Sequence, residues 1–201
     1  MAKIVDHEQR RKEILEVTAQ IIASEGLEAV TTRRIAKASN CSLGILSHYF
    51  ENKDQIVLGA LNWCDERFEA RLSEMYGEEF LGLTDFQPLF LTLLPLDELS
   101  DTEWRVRCNL VTYSLTHPQL KLLRKEKLDY SYDMAAKFFE KLQSEKEIRL
   151  DVDAVSLATL AVDTAFGLCI NMLSFPMEER AAQVDRLLSL LSAALSYHID
   201  Q

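Results

Sequence analysis

Between Thr31 and Lys53 the chain reads TTRRIAKASNCSLGILSHYFENK. Arg33, Arg34, Lys37, Ser42, Gly44, Ser47, His48 and Tyr49 form a set that is small, polar or basic, with one aromatic hydroxyl. Such side chains donate hydrogen bonds to phosphate oxygens and to base edges, and the small ones permit the close approach that a groove demands. Bond-making chemistry has no comparable set. The chain contains no G-x-G-x-x-G, G-x-x-x-x-G-K-[ST], H-E-x-x-H or G-x-S-x-G. His7, His48, His117 and His198 lie far apart in sequence without metal-ligand spacing, and adjacent acids such as Glu78-Glu79 point apart on a helix. No catalytic residue, cofactor or metal is expected.

The elements that must hold this face are two short helices and a longer one. Thr31 or Thr32 supplies a hydroxyl N-cap for the first, and Ile35 and Ala36 supply its inward side. Ser39-Asn40 is the break, because asparagine tolerates the left-handed conformation that ends a helix. Ser42 caps the second helix, whose Leu46 and Phe50 lie four apart on one side. Leu43 has two readings: it completes that apolar side, or it faces outward to meet a thymine methyl. Asn52 caps a long helix over residues 53–76, with Lys53 in its first turn beside the N–H dipoles. Ahead of them a helix from about Glu8 to Ser24 carries Ile14, Val17, Thr18, Ile21 and Ile22 on one stripe, and Gly26 stops it. Arg10, Arg11 and Lys12 on that helix either flank a phosphate or form a solvated face.

Over roughly residues 8–60 the stretch resembles the helix-turn-helix of the TetR family of transcriptional regulators, and GILSHYF resembles its BetI-type branch. Asn40-Cys41 stands where the family usually has Gly-Val, and Ser47 where many members carry a tyrosine. The resemblance implies an all-α protein of about nine helices: an N-terminal three-helix DNA-binding domain and a C-terminal helical ligand-binding and dimerisation domain. It implies a cytoplasmic regulator with double-stranded operator DNA as partner, most often a repressor released by a small-molecule effector. On that reading Thr32, Arg34, Tyr49 and Lys53 serve the phosphates, Ser42, Leu43, Gly44, Ser47 and His48 approach the bases, and Arg33 belongs to the same DNA-binding set.

Composition agrees with the class. Of 201 residues 48% are apolar, and six Gly and four Pro are few, which favours helices around a real core. The net charge of −10 speaks against nucleic acid only until the chain is divided. Residues 31–53 set Arg33, Arg34, Lys37 and Lys53 against Glu51 alone, so the acid lies in the remainder. No charged-then-apolar leader opens the sequence, and Cys41, Cys64, Cys108 and Cys169 are scattered as reduced thiols would be.

The resemblance implies a helix-turn-helix domain in residues 1–53, a connecting helix over 53–76 and a regulatory and dimerisation domain in 77–201, and the glycines place the boundary between Gly77 and Gly82. Beyond it, helices are expected from Thr84 or Asp85 to Pro95, from Asp101 to His117, from Pro118 to about Lys146, from Asp151 or Asp153 to Phe175, and from Met177 to Ile199. The run from Val155 to Ser174 is apolar enough to raise a membrane span, but a mid-bilayer Asp163 is costly, and burial between subunits fits better. Leu168 and Met172, then Val184, Leu187, Leu188, Leu191 and Leu195, are the expected homodimer seam. The family cavity would be walled by aromatics such as Trp63, Trp104, Tyr113, Phe139 and Phe166. With Asp163 they would suit a cationic or quaternary ammonium effector. A hydroxyl, tyrosine or arginine partner for Asp163 is the competing account. The competing function is a small-molecule- or protein-binding helical module with a vestigial helix-turn-helix.

Overall fold

The computed structural model describes residues 7–76, 82–148 and 150–184. Among them all regular structure is helical: α1 (His7–Glu25), a 3-10 turn (Leu27–Ala29), α2 (Thr32–Ala38), α3 (Leu43–Tyr49), α4 (Lys53–Tyr76), α5 (Leu83–Leu93), α6 (Glu98–Ser114), α7 (Pro118–Ser144) and α8 (Ala154–Met172). Residues 177–184 begin a further helix, α9. The all-α reading, with a helix-turn-helix followed by a helical body, is correct.

Capping chemistry moves two of the expected starts and selects between two caps at a third. α6 starts a turn early because Asp97 Oδ1 accepts from the Ser100 N–H at 2.8 Å, while Ser100 Oγ accepts from the Asp97 N–H at 3.2 Å. α5 starts after Gly82, whose N–H donates to Asp85 Oδ2 at 3.0 Å, so neither Thr84 nor Asp85 is the cap. α8 is capped by Asp153, which accepts from the Ser156 N–H at 2.9 Å, and it ends at Met172, short of Phe175.

Contacts divide the chain into two compact units: Met1–Arg71 with Thr102–Thr116, and Leu72–Asp101 with His117–Gln201. The line therefore falls within α4 and within α6, away from the glycine-flanked stretch that composition singled out. The physical reason lies in the first unit, where α6 is tied to α4. The Glu103 carboxylate, 1% exposed, accepts two hydrogen bonds from Arg71 at 2.8 and 2.7 Å. Arg107 reaches the same carboxylate at 3.8 Å and pairs with Asp65 at 3.0 Å. Both guanidinium groups lie against the Phe68 ring. Beside this network Ile14, Ile22, Val30, Ile35, Leu46, Phe50, Ile56, Ala60 and Trp104 build the core beneath the helix-turn-helix. α4 comes close to α1 at Gly59, where an added Cβ would lie 2.6 Å from Leu15 Cδ2.

In the second unit α7 packs along α8. Phe86 stacks between Phe90 and Phe138 with centroids at 6.0 and 6.3 Å, and Phe139 is buried beside them. Arg180 is buried and fully committed, donating to the Pro95 and Phe175 carbonyls and pairing with Asp101 at 2.7 Å.

The expected dimer seam needs correction. Met172 and Val184 are buried within the single chain, so they belong to its own core; Leu168 is half-buried, and Leu187, Leu188, Leu191 and Leu195 lie outside the described residues. What α8 and its end leave open instead are Val155, Leu160, Ile170 and Phe175, exposed by 61, 51, 43 and 41%. Among the described residues α8 is also the one helix long and apolar enough to cross a membrane, and it carries Asp163. Asp163 is no buried acid. It is exposed and accepts a 2.6 Å hydrogen bond from the Tyr132 hydroxyl, the ordinary kind of partner, which pushes the tyrosine up from its usual range.

Candidate nucleic-acid interface

The interface is assembled by caps and a single tight turn. Thr31 caps α2: its hydroxyl oxygen accepts from the Arg34 N–H at 3.1 Å, which leaves Thr32 exposed on the first turn. α2 ends with Asn40 at φ 48°. The Cys41 N–H then reaches back to the Ala36 carbonyl at 2.9 Å and the Asn40 N–H to Lys37 at 3.3 Å, the paired closure that a left-handed residue permits. Arg10 of α1 closes the turn from outside, donating to the Ser39 and Asn40 carbonyls at 2.7 and 3.2 Å and pairing with Glu13. It is a strut of the turn and not the flanking phosphate ligand that was one of its two readings. Asn40→Val should lower stability by about 1–2 kcal/mol, because a β-branched side chain resists this φ, while Asn40→Gly stays within about 0.5 kcal/mol. Thermal unfolding of the two variants measures the difference.

Ser42 caps α3, accepting from the Ile45 N–H at 3.2 Å. Leu46 of this seven-residue helix and Phe50 at its C-cap turn inward, while Leu43, Gly44, Ile45, Ser47 and His48 face out. Leu43 is 47% exposed, which settles its two readings in favour of the surface. Ile45, 46% exposed, joins it there and was missing from the expected set, although one helical step of 100° from Leu46 already takes it off the buried stripe. The Ser47 hydroxyl donates to its own helix at the Leu43 carbonyl, 2.7 Å away, so a base must compete with that bond. Nothing but Ser42 Oγ, at 3.8 Å, would meet a Cβ on Gly44, so its smallness serves the surface and not the packing.

The basic residues divide. Arg33 and Lys37 are exposed, whereas Arg34 pairs with Glu25 at 2.5 Å and a phosphate would have to displace that carboxylate. The pair is itself exposed and therefore weak. Lys53 opens α4 directly after Asn52, whose side-chain oxygen accepts from the Gln55 N–H at 2.9 Å. Thr32, Leu43, Leu46, Ser47, Phe50, Glu51, Asn52 and Ile56 together line a shallow hollow where α2, α3 and the start of α4 meet.

Sequence spacing also left the histidines apart, and folding brings two together. His7, at the start of α1, lies 5.7 Å from His48 and 5.8 Å from Tyr49 between ring centroids, and the Tyr49 hydroxyl is 3.2 Å from His7 Nδ1. Only the α1–α3 crossing creates that contact, 42 residues apart in the chain. Among the described residues no three His, Cys, Asp or Glu side chains are placed to hold a metal. Burial pushes the Cys64 thiol up to about 12 and raises Cys108 as well, which disfavours the reactive thiolate in both.

Of the aromatics expected around an effector, Trp63, Trp104 and Tyr113 fall in the first unit and Phe139 and Phe166 in the second, with Asp163 on the surface of the latter. Trp63, Trp104 and Phe139 are core residues, Trp63 with Arg67 lying over its ring at 4.8 Å.

The outward face of α3, the capped entry to α4 and the three-helix support beneath them define a helix-turn-helix head on a helical body. Residues 14–60 match the model described as bacterial regulatory proteins, tetR family, and this head is a tetR-family N-terminal domain. The HTH-type transcriptional regulator PksA of Bacillus subtilis is 33% identical over 106 residues, 53% of this chain and 52% of that protein. BetI 1 of Chromohalobacter salexigens is 40% identical over 52 residues, 26% of each chain, and the repressor KstR of Mycolicibacterium smegmatis 36% over 63 residues, 31% of each. The chain thus spans about half, or less, of the length of the curated relatives it matches. Solved structures share this fold over most of the chain. A putative transcriptional regulator from Saccharomonospora viridis in complex with choline aligns with a TM-score of 0.78 at 23% identity, over 90% of this chain and 96% of that one. The ketosteroid regulator KstR2 of Mycobacterium tuberculosis aligns at 0.69 and 20%, over 94% and 96%.

Proposed function

We propose that the protein is a sequence-specific, ligand-responsive transcriptional regulator, acting in the cytoplasm as a repressor that a small molecule releases from a palindromic operator. The observation that carries the reading is the α3 surface. The seven-residue α3 and its C-cap spend Leu46 and Phe50 on their support and present Leu43, Gly44, Ile45, Ser47 and His48 to solvent, flanked by exposed Arg33 and Lys37. A helix built to pack would not leave two large aliphatic residues half in water beside a glycine. In a major groove the same residues meet thymine methyls and base edges.

A homodimer is part of the reading. Val155, Leu160 and Ile170 of α8, and Phe175 just beyond it, stand partly in water, and a second copy is the partner that would cover them symmetrically. Two heads about 34–36 Å apart would then address successive major grooves of an imperfect palindrome. An effector releases the duplex only if it binds one arrangement of the heads better than the other. Choline is the first compound to assay, on the strength of the choline-bound structural neighbour and of the Phe86, Phe90, Phe138 and Phe139 cluster in the body.

Selection of duplexes from a random library, followed by footprinting, tests the function: a protected, roughly twofold-symmetric site is the expected result, and no enriched sequence at low salt would sink it. Lys53→Ala separates positioning from reading. It should weaken binding to every duplex alike, by several-fold, and flatten the slope of log affinity against log salt by about one unit, without changing the preferred sequence.

A further inference from the structure

His7, at the start of α1, meets the end of α3. Its Nδ1 lies 3.2 Å from the Tyr49 hydroxyl, and its ring forms a tilted triangle with His48 and Tyr49 at 5.7, 5.8 and 5.4 Å. Resting on the DNA-binding reading above, we infer that His7 is a positioning residue of the DNA surface, and that proton uptake by the His7–His48 pair sets how tightly the protein grips a duplex.

The argument is one of donors and acceptors. A neutral imidazole carries a proton on one nitrogen only. When His7 Nδ1 is bare, the Tyr49 O–H donates to it, and the tyrosine then offers outward nothing but oxygen lone pairs, which repel a phosphate. When His7 is protonated both ring nitrogens donate. The Tyr49 oxygen now accepts from Nδ1–H, and its own hydrogen is released to donate to a phosphate oxygen. The same proton adds a positive charge 5.7 Å from His48, where two cations repel unless an anion lies between them. A phosphate supplies that anion, so binding DNA and binding protons favour each other. Histidine is the side chain whose ordinary titration lies nearest neutrality, which places the effect in an accessible range.

The charged groups on the adjoining elements do not replace His7. On α1, Arg10 is committed to Glu13 and to the turn carbonyls, Arg11 lies over the Phe50 ring at 5.2 Å, and Glu8 and Lys12 follow on the same helix. α2 contributes Arg33, Lys37 and the Glu25-bound Arg34, and the start of α4 contributes Glu51, Lys53 and Asp54.

The test uses the full chain and a duplex selected by the wild-type protein, with affinity read by fluorescence anisotropy from about pH 6 to pH 8 at constant ionic strength. Wild-type affinity should fall about tenfold across that range, one factor of ten for each unit by which DNA raises a coupled proton affinity. His7→Gln should bind at the wild type's high-pH level throughout, with most of the slope gone. Tyr49→Phe should keep the charge-driven part and lose the hydroxyl part, giving an intermediate slope. It also carries the test if circular dichroism shows that His7→Gln does not fold. A wild type that binds the duplex equally at both ends of the range overturns the inference and leaves the regulator intact. So does a His7→Gln protein that is weaker by one constant factor at every pH, since that is what a purely structural role would give. If no duplex is enriched at all, this inference falls together with the reading it rests on.

Discussion

Glu103→Ala should cost the protein about 3 kcal/mol of stability, the low end of what removal of one partner from a buried ion pair costs. The carboxylate is 1% exposed and holds Arg71 by two hydrogen bonds of 2.8 and 2.7 Å, with Arg107 at 3.8 Å. Without it two guanidinium groups remain against Phe68, their side chains only 25 and 17% exposed, and the buried carboxylate that both of them face is gone. Partial access to water is the reason for choosing the low end. Urea unfolding followed by circular dichroism measures the loss. The double variant Arg71→Met with Glu103→Leu should recover much of it, because an apolar pair of similar volume needs no counter-charge. A single-variant loss below about 1 kcal/mol would show that the network does not hold α6 to α4.

The largest expected functional effect is on α3. Ser47→Glu should weaken binding to a selected operator by at least about 100-fold, because a carboxylate set against phosphates costs several kcal/mol and each 1.4 kcal/mol is tenfold. The fold should not notice. Ser47 is exposed, and its hydroxyl bonds only to the Leu43 carbonyl of its own helix. Ser47→Ala is the companion experiment: it should alter which bases are preferred and leave the salt dependence as it was. Unchanged affinity in the Glu variant, with the helical signal intact, would mean that this face of α3 does not meet DNA.

The two variants also mark what was legible. The capping hydroxyls, the asparagine turn, the Leu46–Phe50 stripe and the run of α4 from Lys53 are local features, governed by residues three or four apart, and the sequence reading had them. Pairings between distant segments were not legible. The Arg71–Glu103 bond spans 32 residues, the Arg10–Ser39 strut 29 and the His7–Tyr49 contact 42. No periodicity within either segment encodes which partner will arrive. The same limit explains the misread body. Met172 and Asp163 lie on one apolar helix, and composition alone cannot tell which side of it meets α7 and which meets water.

By itself, then, the sequence determined a helical protein, the place and the punctuation of its helix-turn-helix, and the small, polar and basic character of the reading face. Those properties follow from short-range sterics and capping. Tertiary structure alone decided that Arg34 is engaged by Glu25, that Asp163 stands at the surface with Tyr132, and that His7 reaches α3. Each depends on where a second, distant element packs, and the energy that settles this is shared across the whole core and written in no single stretch of it.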